Sequence, residues 1–257
     1  MNRESTSRRL GYIILFGASL TTAGAADANL VLNGGFETVN GGGPNFFLDA
    51  THTLADWAVS GGIAAVYSPG SADTIGATQF GTQQIYLWGP GNPSPGGSSA
   101  NGLTATSPAG GNYLASDSDK PYSGTYTQTI SGLTIGDVYA LTFFYGAAQF
   151  RSPTGSAWNG DTYSQWTGTI GAATFATPVL SISSHGFSGW QSFTLHHTAT
   201  AASEVLSFLA VGGPGFMPPV ALLDGVQLNA VPEPTTYSIA MIGILGLLAF
   251  SRHRSGS

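Results

Sequence analysis

The sequence predicts an all-β fold, an antiparallel β-sandwich. Three observations carry the prediction. Gly, Pro, Ser and Asn interrupt the chain roughly every ten residues from Asp27 to Val231. The runs between them are rich in β-branched and aromatic residues, and no apolar period of 3.6 persists in that stretch. In order, the expected strands begin with Leu30–Leu32, Trp57–Tyr67 and Gln84–Trp88. After Tyr113–Ser116 and Thr125–Ile130 comes the clearest, Val138–Gln149, in which Tyr139, Leu141, Phe143 and Tyr145 share one face. Tyr163–Ile170, Ala173–Ile182, Trp190–His197 and Val205–Val211 continue the pattern. Val220–Leu228 closes it, with Val220, Leu222, Val226 and Leu228 read as one face. Pro90–Gly111 is a low-complexity loop expected to be mobile and solvent-facing. Division there leaves two poorly cored halves, so residues 27–230 are expected to form one domain. The absence of a sequence repeat argues against a propeller or solenoid.

Charge narrows the function. The 257 residues are 42% hydrophobic but only 8% charged, against about 25% charged in an ordinary globular protein. Of seven Lys and Arg, only Lys120 and Arg151 lie between Asp27 and Val231, facing eleven acids for a net charge of −9. That sign excludes nucleic acid as a partner and disfavours anionic membranes and acidic polymers. With no Cys there is no disulfide, thiolate metal site or Cys nucleophile.

Both ends read as addresses. Arg3, Arg8 and Arg9 precede an apolar run from Leu10 to Leu20, and Ala23-Gly24-Ala25 supplies the small residues that signal peptidase requires. Residues 1–26 are therefore expected to be a signal peptide. At the other end, Tyr237–Phe250 is an uncharged apolar run of fourteen residues. As a helix it reaches about 21 Å, short against a hydrocarbon core of about 30 Å, but Arg252 and Arg254 follow it as a cytoplasmic-side cluster would. Val231-Pro232-Glu233-Pro234, then the apolar segment 237–250, then the Arg-rich tail, resembles the PEP-CTERM sorting signal of exopolysaccharide-making Gram-negative bacteria. The resemblance covers residues 231–257. It implies a transmembrane helix, recognition by the membrane peptidase exosortase, a transient inner-membrane anchor, and release or attachment outside the cell. A plain single-span anchor is the competing reading.

The domain itself resembles a second family. Asn33-Gly34-Gly35-Phe36-Glu37 at its start, Trp57 about twenty residues on, and Leu223-Asp224-Gly225-Val226 at its end are similar to the galactose-binding-like jelly roll, the fold of many carbohydrate-binding modules. Asp224 has the apparent strand parity of Val226 and Leu228 and so is expected to point inward. A buried carboxylate must be paired, protonated or metal-bound, and the chain offers few cations, which favours Ca²⁺ and its oxygen ligands. The resemblance implies that Glu37 and Asp224 meet at one structural Ca²⁺. The other reading has both acids capping turns at the sheet edge.

Chemistry is sparse elsewhere. Asp117-Ser118-Asp119 and Asp161 are the acidic spots that glycoside hydrolysis would need, and both read more simply as polar turns. His196 and His197 are adjacent on a strand and so point to opposite faces. No nucleophile elbow, zinc-helix or phosphate-loop motif occurs. Aromatic rings remain. Trp88, Tyr122, Tyr126, Trp158, Tyr163 and Trp166 are candidate platforms for stacking sugar rings, with Asn159 and Asp161 as polar partners. Taken together, the sequence reads as a non-catalytic, exported, glycan-binding protein of the cell surface or matrix, linked to exopolysaccharide or biofilm. A structural or adhesive surface protein without a sugar site is the alternative, and a secreted glycoside hydrolase or lyase is a third.

Overall fold

The computed structural model describes residues 29–79, 83–152 and 158–232. The expected signal peptide and the apolar segment 237–250 lie outside the described residues, as do Glu233, Pro234, Arg252 and Arg254. In chain order the strands are β1 (Phe46–Phe47), β2 (Ala58–Ser60), β3 (Ala64–Tyr67), β4 (Ala77–Gln79), β5 (Gln83–Leu87), β6 (Tyr113–Asp117) and β7 (Thr125–Ser131). Then come β8 (Val138–Arg151), β9 (Thr162–Ile170), β10 (Ala173–Ala176), β11 (Leu180–Ile182), β12 (Gln191–Thr198), β13 (Ser203–Gly213) and β14 (Pro219–Ala230). They form two sheets, one ordered β12-β8-β14-β6-β3-β1-β4-β5, the other β10-β9-β13-β7-β2 with β11 also against β9. Every strand pairing is antiparallel except the brief contact of β1 with β4. The expected all-β sandwich is therefore what the chain adopts, and among the described residues there is no helix long and apolar enough to cross a membrane.

Alternation along β8 works as expected. Tyr139, Leu141, Phe143 and Tyr145 are all buried in the main core, which also holds Tyr126, Trp166 and Phe208 from the smaller sheet. Phe143 meets Phe208 edge-on at 5.2 Å, and Trp166 meets Phe208 and Tyr126 in the same manner at 6.0 and 5.8 Å. Such edge-to-face pairs put positive ring edges against negative faces and add to the gain from burial. The Trp166 indole N–H also donates to Leu222 O at 2.9 Å, so its one polar group is satisfied.

The larger sheet carries a second core on its other face. Ala65, Tyr67, Tyr113, Ala115, Val220 and Leu222 pack there against Phe47, Ile85 and Phe150. This face is covered because the sheet curls back on itself: β5 pairs with the far end of β8, Tyr86 opposite Arg151 and Leu87 opposite Phe150. Strands β3, β6 and β14 are consequently apolar on both sides, as strands buried on both faces must be.

Three local expectations are corrected. Residues 30–32 do not form a strand. They run along β14 into a turn, with Asn29 bonding the Leu228 amide at 2.9 Å and Gly34 O accepting from Val226 N at 2.9 Å. A Cβ at Gly34 would sit 2.0 Å from Val226 O, which is why only glycine allows the approach. Pro90–Gly111 is solvent-facing but anchored. Asn92 bonds Asp73 O and Leu87 O, Asn101 bonds Trp88 O and His185 O, and Leu103 packs on the second core. Lastly, β14 does not present one apolar face. Its register with β8 shifts between Asp224 and Gln227, where Gly225 takes φ +60°. Such a bulge inserts one residue and exchanges the faces. Val220 and Leu222 therefore belong to the second core, whereas Val226 and Leu228 belong to the main one. Asp224 shares the side of Val220 and Leu222, not that of Val226.

Replacing Trp166 with Ala is expected to lower unfolding free energy by about 3–5 kcal/mol, the range for emptying a large aromatic site. Urea denaturation of the variant measures this, and a loss below about 1 kcal/mol would show that Trp166 is not the centre of the main core.

Candidate functional site

A cleft of about 280 Å³ opens at the mouth of the second core. Its apolar base includes Phe47, Ile85 and Phe150, and Asp117, Asp119, Tyr122, Trp158 and Phe216 also line it. Strand parity explains the placement. Tyr113 and Ala115 of β6 face the second core, so Asp117 projects to that side as well. Past the strand end the chain is tied by short bonds. The Asp119 amide donates to Asp117 Oδ1 at 2.9 Å, Tyr122 N donates to Asp119 O at 2.7 Å, and Ile63 N donates to Tyr122 O at 2.7 Å. Ser118 turns the opposite way, donating to Pro219 O at 3.0 Å and sharing a hydrogen bond with Ser164 at 2.8 Å.

Phe216 comes from the connection between β13 and β14. It is 82% exposed, the most exposed large apolar residue among those described, and its backbone sits in the left-handed region at φ +67°. Its amide donates to Asp119 Oδ2 at 3.3 Å. A bulky residue at positive φ is strained, and exposing a phenyl ring stores further unfavourable free energy. Both costs fall on the residue at the rim of the apolar cleft, which is the pattern expected of a contact surface.

The carboxylates make the base electronegative. Asp117 is 4% exposed. Burial pushes its carboxyl up to about 7, against the Asp119 amide bond, and the charge of Asp119 adds to the rise. Among the described residues, no Lys, Arg or His lines the cleft. Arg151 is buried elsewhere, its Nη2 on Pro93 O at 2.7 Å and Pro95 O at 2.5 Å and its guanidinium against the rings of Tyr86 and Trp88.

The proposed stacking residues separate into distinct environments. Tyr122 and Trp158 line the cleft. Trp88, Tyr126 and Trp166 do not serve as platforms, because all three are buried. Tyr126 and Trp166 sit at inward positions of β7 and β9, and the Tyr126 hydroxyl donates to Ser116 at 2.8 Å. Trp88 is stacked at 3.5 Å on His185. Asn159 Oδ1 is 2.6 Å from His185 Nε2 and so braces that stack. Asp161 accepts from Ser184 N at 3.0 Å and, with the exposed Tyr163, lines a separate shallow depression beside Ser181 and Ser183. Asp161 is thereby removed from any pairing with Asp117. Phe216 was missed by sequence reasoning. Its signal was a lone aromatic in Gly213-Pro214-Gly215-Phe216, a segment that cannot continue a strand.

Glu37 and Asp224 approach each other across Gly35. A single point, where a Gly35 Cβ would lie, is 3.6 Å from Glu37 Oε1 and 3.7 Å from Asp224 Oδ1. Asp224 is fully buried, accepts from the Ser107 hydroxyl at Oδ2 and from Gly225 N at 2.6 Å, and is pushed up to about 7 by burial and, in smaller part, by Glu37. Both carboxylates offer oxygen donors of the kind a hard divalent ion takes, and Glu37 Oε1 also accepts from Asn112 N at 2.9 Å. Among the described residues no group of three or more His, Cys, Asp or Glu gathers, so backbone and hydroxyl oxygens would have to complete a shell.

His197 is the buried member of its pair and bonds Glu204, while His196 is exposed. Burial raises the Glu204 carboxyl, but the Thr200 amide, the Thr200 hydroxyl and His197 together bring it down to about 2.

Residues 230–255 match the PEP-CTERM protein-sorting motif. The motif implies export, a transient membrane-anchored state and processing by exosortase. It begins where the fold ends, since Val231 N still donates to Val138 O at 2.8 Å. Comparison with curated proteins finds no match. Among solved structures, the chain is similar to TmCBM61 in complex with beta-1,4-galactotriose, at 14% identity and TM-score 0.40, covering 79% of this chain and 99% of that one. It is similar to the CBM22-1-CBM22-2 tandem domain of Xyn10C from Paenibacillus barcinonensis, at 12% identity and TM-score 0.34, covering 84% and 49%. A third is the K3 cleaved adhesin domain of Lys-gingipain from Porphyromonas gingivalis w83, at 16% identity and TM-score 0.35, covering 68% and 92%.

The raised carboxyls make a pH prediction. A buried acid whose folded value exceeds its unfolded value of 3.8 binds protons on folding, so stability is present below the unfolded value and is lost as pH rises toward about 7. Glu204 acts oppositely and only below about 4.5. The melting temperature in chelator is therefore expected to fall from pH 4 to pH 7, and Asp117→Asn is expected to flatten the fall. A slope unchanged in that variant would remove Asp117 from the account.

Proposed function

We propose that this is an exported, non-catalytic carbohydrate-binding protein whose cleft holds a sugar ring between Tyr122, Trp158 and Phe216. The observation that carries the reading is Phe216, displayed at 82% exposure in a strained conformation on the rim of an apolar cleft. Sugar rings have apolar C–H faces that stack on aromatic rings, and their hydroxyls donate to carboxylates such as Asp117 and Asp119. After sorting, the protein acts at the surface or in the matrix of a Gram-negative cell, in exopolysaccharide or biofilm.

Electrophoresis of the purified protein through gels containing a panel of polysaccharides tests this. Retardation by at least one glycan is expected, with roughly tenfold or greater loss of affinity in Phe216→Ala and none in Tyr163→Ala. Assay of the same mixtures for new reducing ends is expected to be blank. Release of reducing ends would favour a hydrolase acting through Asp117 and Asp119, and retardation by no glycan would favour the structural or adhesive role.

A structural Ca²⁺ at Glu37 and Asp224 belongs to the same reading. It would pin the opening turn to the closing strand and neutralise two adjacent carboxylates. Calcium about a hundredfold above its dissociation constant is expected to raise the melting temperature at pH 7 by roughly 5–10 °C, and Asp224→Asn is expected to abolish the rise. Equal melting temperatures in calcium and chelator would remove the ion.

A further inference from the structure

Among the described residues, the charged side chains lining the cleft are Asp117 and Asp119 alone. Asp117 is nearly sealed from solvent at 4% exposure and Asp119 at 8%. Their hydrogen bonds among the described residues come from backbone amides: Asp119 N to Asp117 Oδ1 and Phe216 N to Asp119 Oδ2. No bond from a described residue reaches Asp117 Oδ2. No cation in the described chain compensates the pair. Lys120 is exposed and does not line the cleft, and Arg151 is held by the Pro93 and Pro95 carbonyls.

This arrangement discriminates among ligands by charge. A neutral ring seated on Trp158 and Phe216 would close off the little solvent access the carboxylates keep and offer only hydroxyl donors in return, which raises the cost of keeping them ionised. A uronic acid would bring a third negative charge to the same place. A ligand ammonium supplies three N–H donors and cancels charge, forming the stronger, charge-assisted bonds. Burial raises the Asp117 carboxyl to about 7, and a cation beside it would favour the ionised form. Resting on the glycan-binding reading above, we propose that the cleft selects glycans bearing a free, protonated amine, that is, de-N-acetylated hexosamine units. The sugar face lies on the aromatic rings and the ammonium lies against Asp117 and Asp119.

Calorimetric titration of the purified protein near neutral pH, with tetramers of glucosamine, of N-acetylglucosamine and of galacturonic acid, tests the proposal. The glucosamine tetramer is expected to bind about tenfold or more tighter than its acetylated counterpart, with the advantage shrinking as salt rises. The uronate tetramer is expected not to bind. Asp117→Asn, which keeps the shape and the acceptor for the Asp119 amide, is expected to bring the two hexosamine affinities together, and Asp119→Asn to do the same. Equal or tighter binding of the acetylated tetramer, lost in Phe216→Ala, would overturn the amine preference while leaving glycan binding intact. Failure of the glucosamine tetramer to bind would also overturn it, and the polysaccharide gels would then decide separately whether the cleft takes any glycan. A preference that persists in both Asn variants would mean that the carboxylates do not read the amine.

Discussion

The middle of the larger sheet must be dry on both faces, and much of the structure follows from that constraint. β3, β6 and β14 carry apolar side chains toward the main core and also away from it. A sandwich of two sheets covers only one of those faces. The second is covered by curling the sheet until β5 meets β8 and by strapping the 88–111 segment across the gap with Asn92, Asn101 and Leu103. The cleft is the residual opening of that second enclosure. It is bounded by strand ends and by the β13–β14 connection, where backbone geometry is freest to depart from the pleat.

A chain with so few cations handles buried acids in an unusual way. Glu204 is stabilised in its charged form by Thr200 and His197. Asp117 and Asp224 receive too little of such help, and burial wins, leaving both carboxyls near neutral pH. Arg151 shows the converse: a buried guanidinium satisfied in part by two proline carbonyls and two aromatic faces, with Nε and Nη1 lacking partners among the described residues. Half of the charged side chains among the described residues are thus buried, and Asp117 and Asp224 fall at the two candidate sites.

What the sequence disclosed depended on how regular the backbone was. β8 was legible because its first half alternates strictly, and Tyr139 to Tyr145 land in the core as their spacing demands. β14 looked equally regular and was misread, since the single residue inserted at Gly225 exchanges its faces without disturbing the run of Val and Leu. Burial of Trp88, Tyr126 and Trp166 was not distinguishable from exposure by residue type, because a ring suited to stacking on sugar is equally suited to a core. The Trp158–Trp166 segment illustrates the limit: a gap of eight positions spans a cleft wall, a brace on His185, a separate depression and the middle of the main core. Phe216 required the opposite reasoning, from a segment with no period at all.

The direction of β14 has a consequence for presentation. Phe216 stands just before its first residue, and the sorting motif starts at its last, Ala230. Twelve residues of strand separate the two by roughly 35–40 Å at the usual rise, and the Val231–Val138 bond keeps the exit rigid up to the tail. Cleft and exit therefore sit at opposite ends of one continuous strand, so whatever the cleft holds is kept a strand's length from the point where the chain leaves the fold.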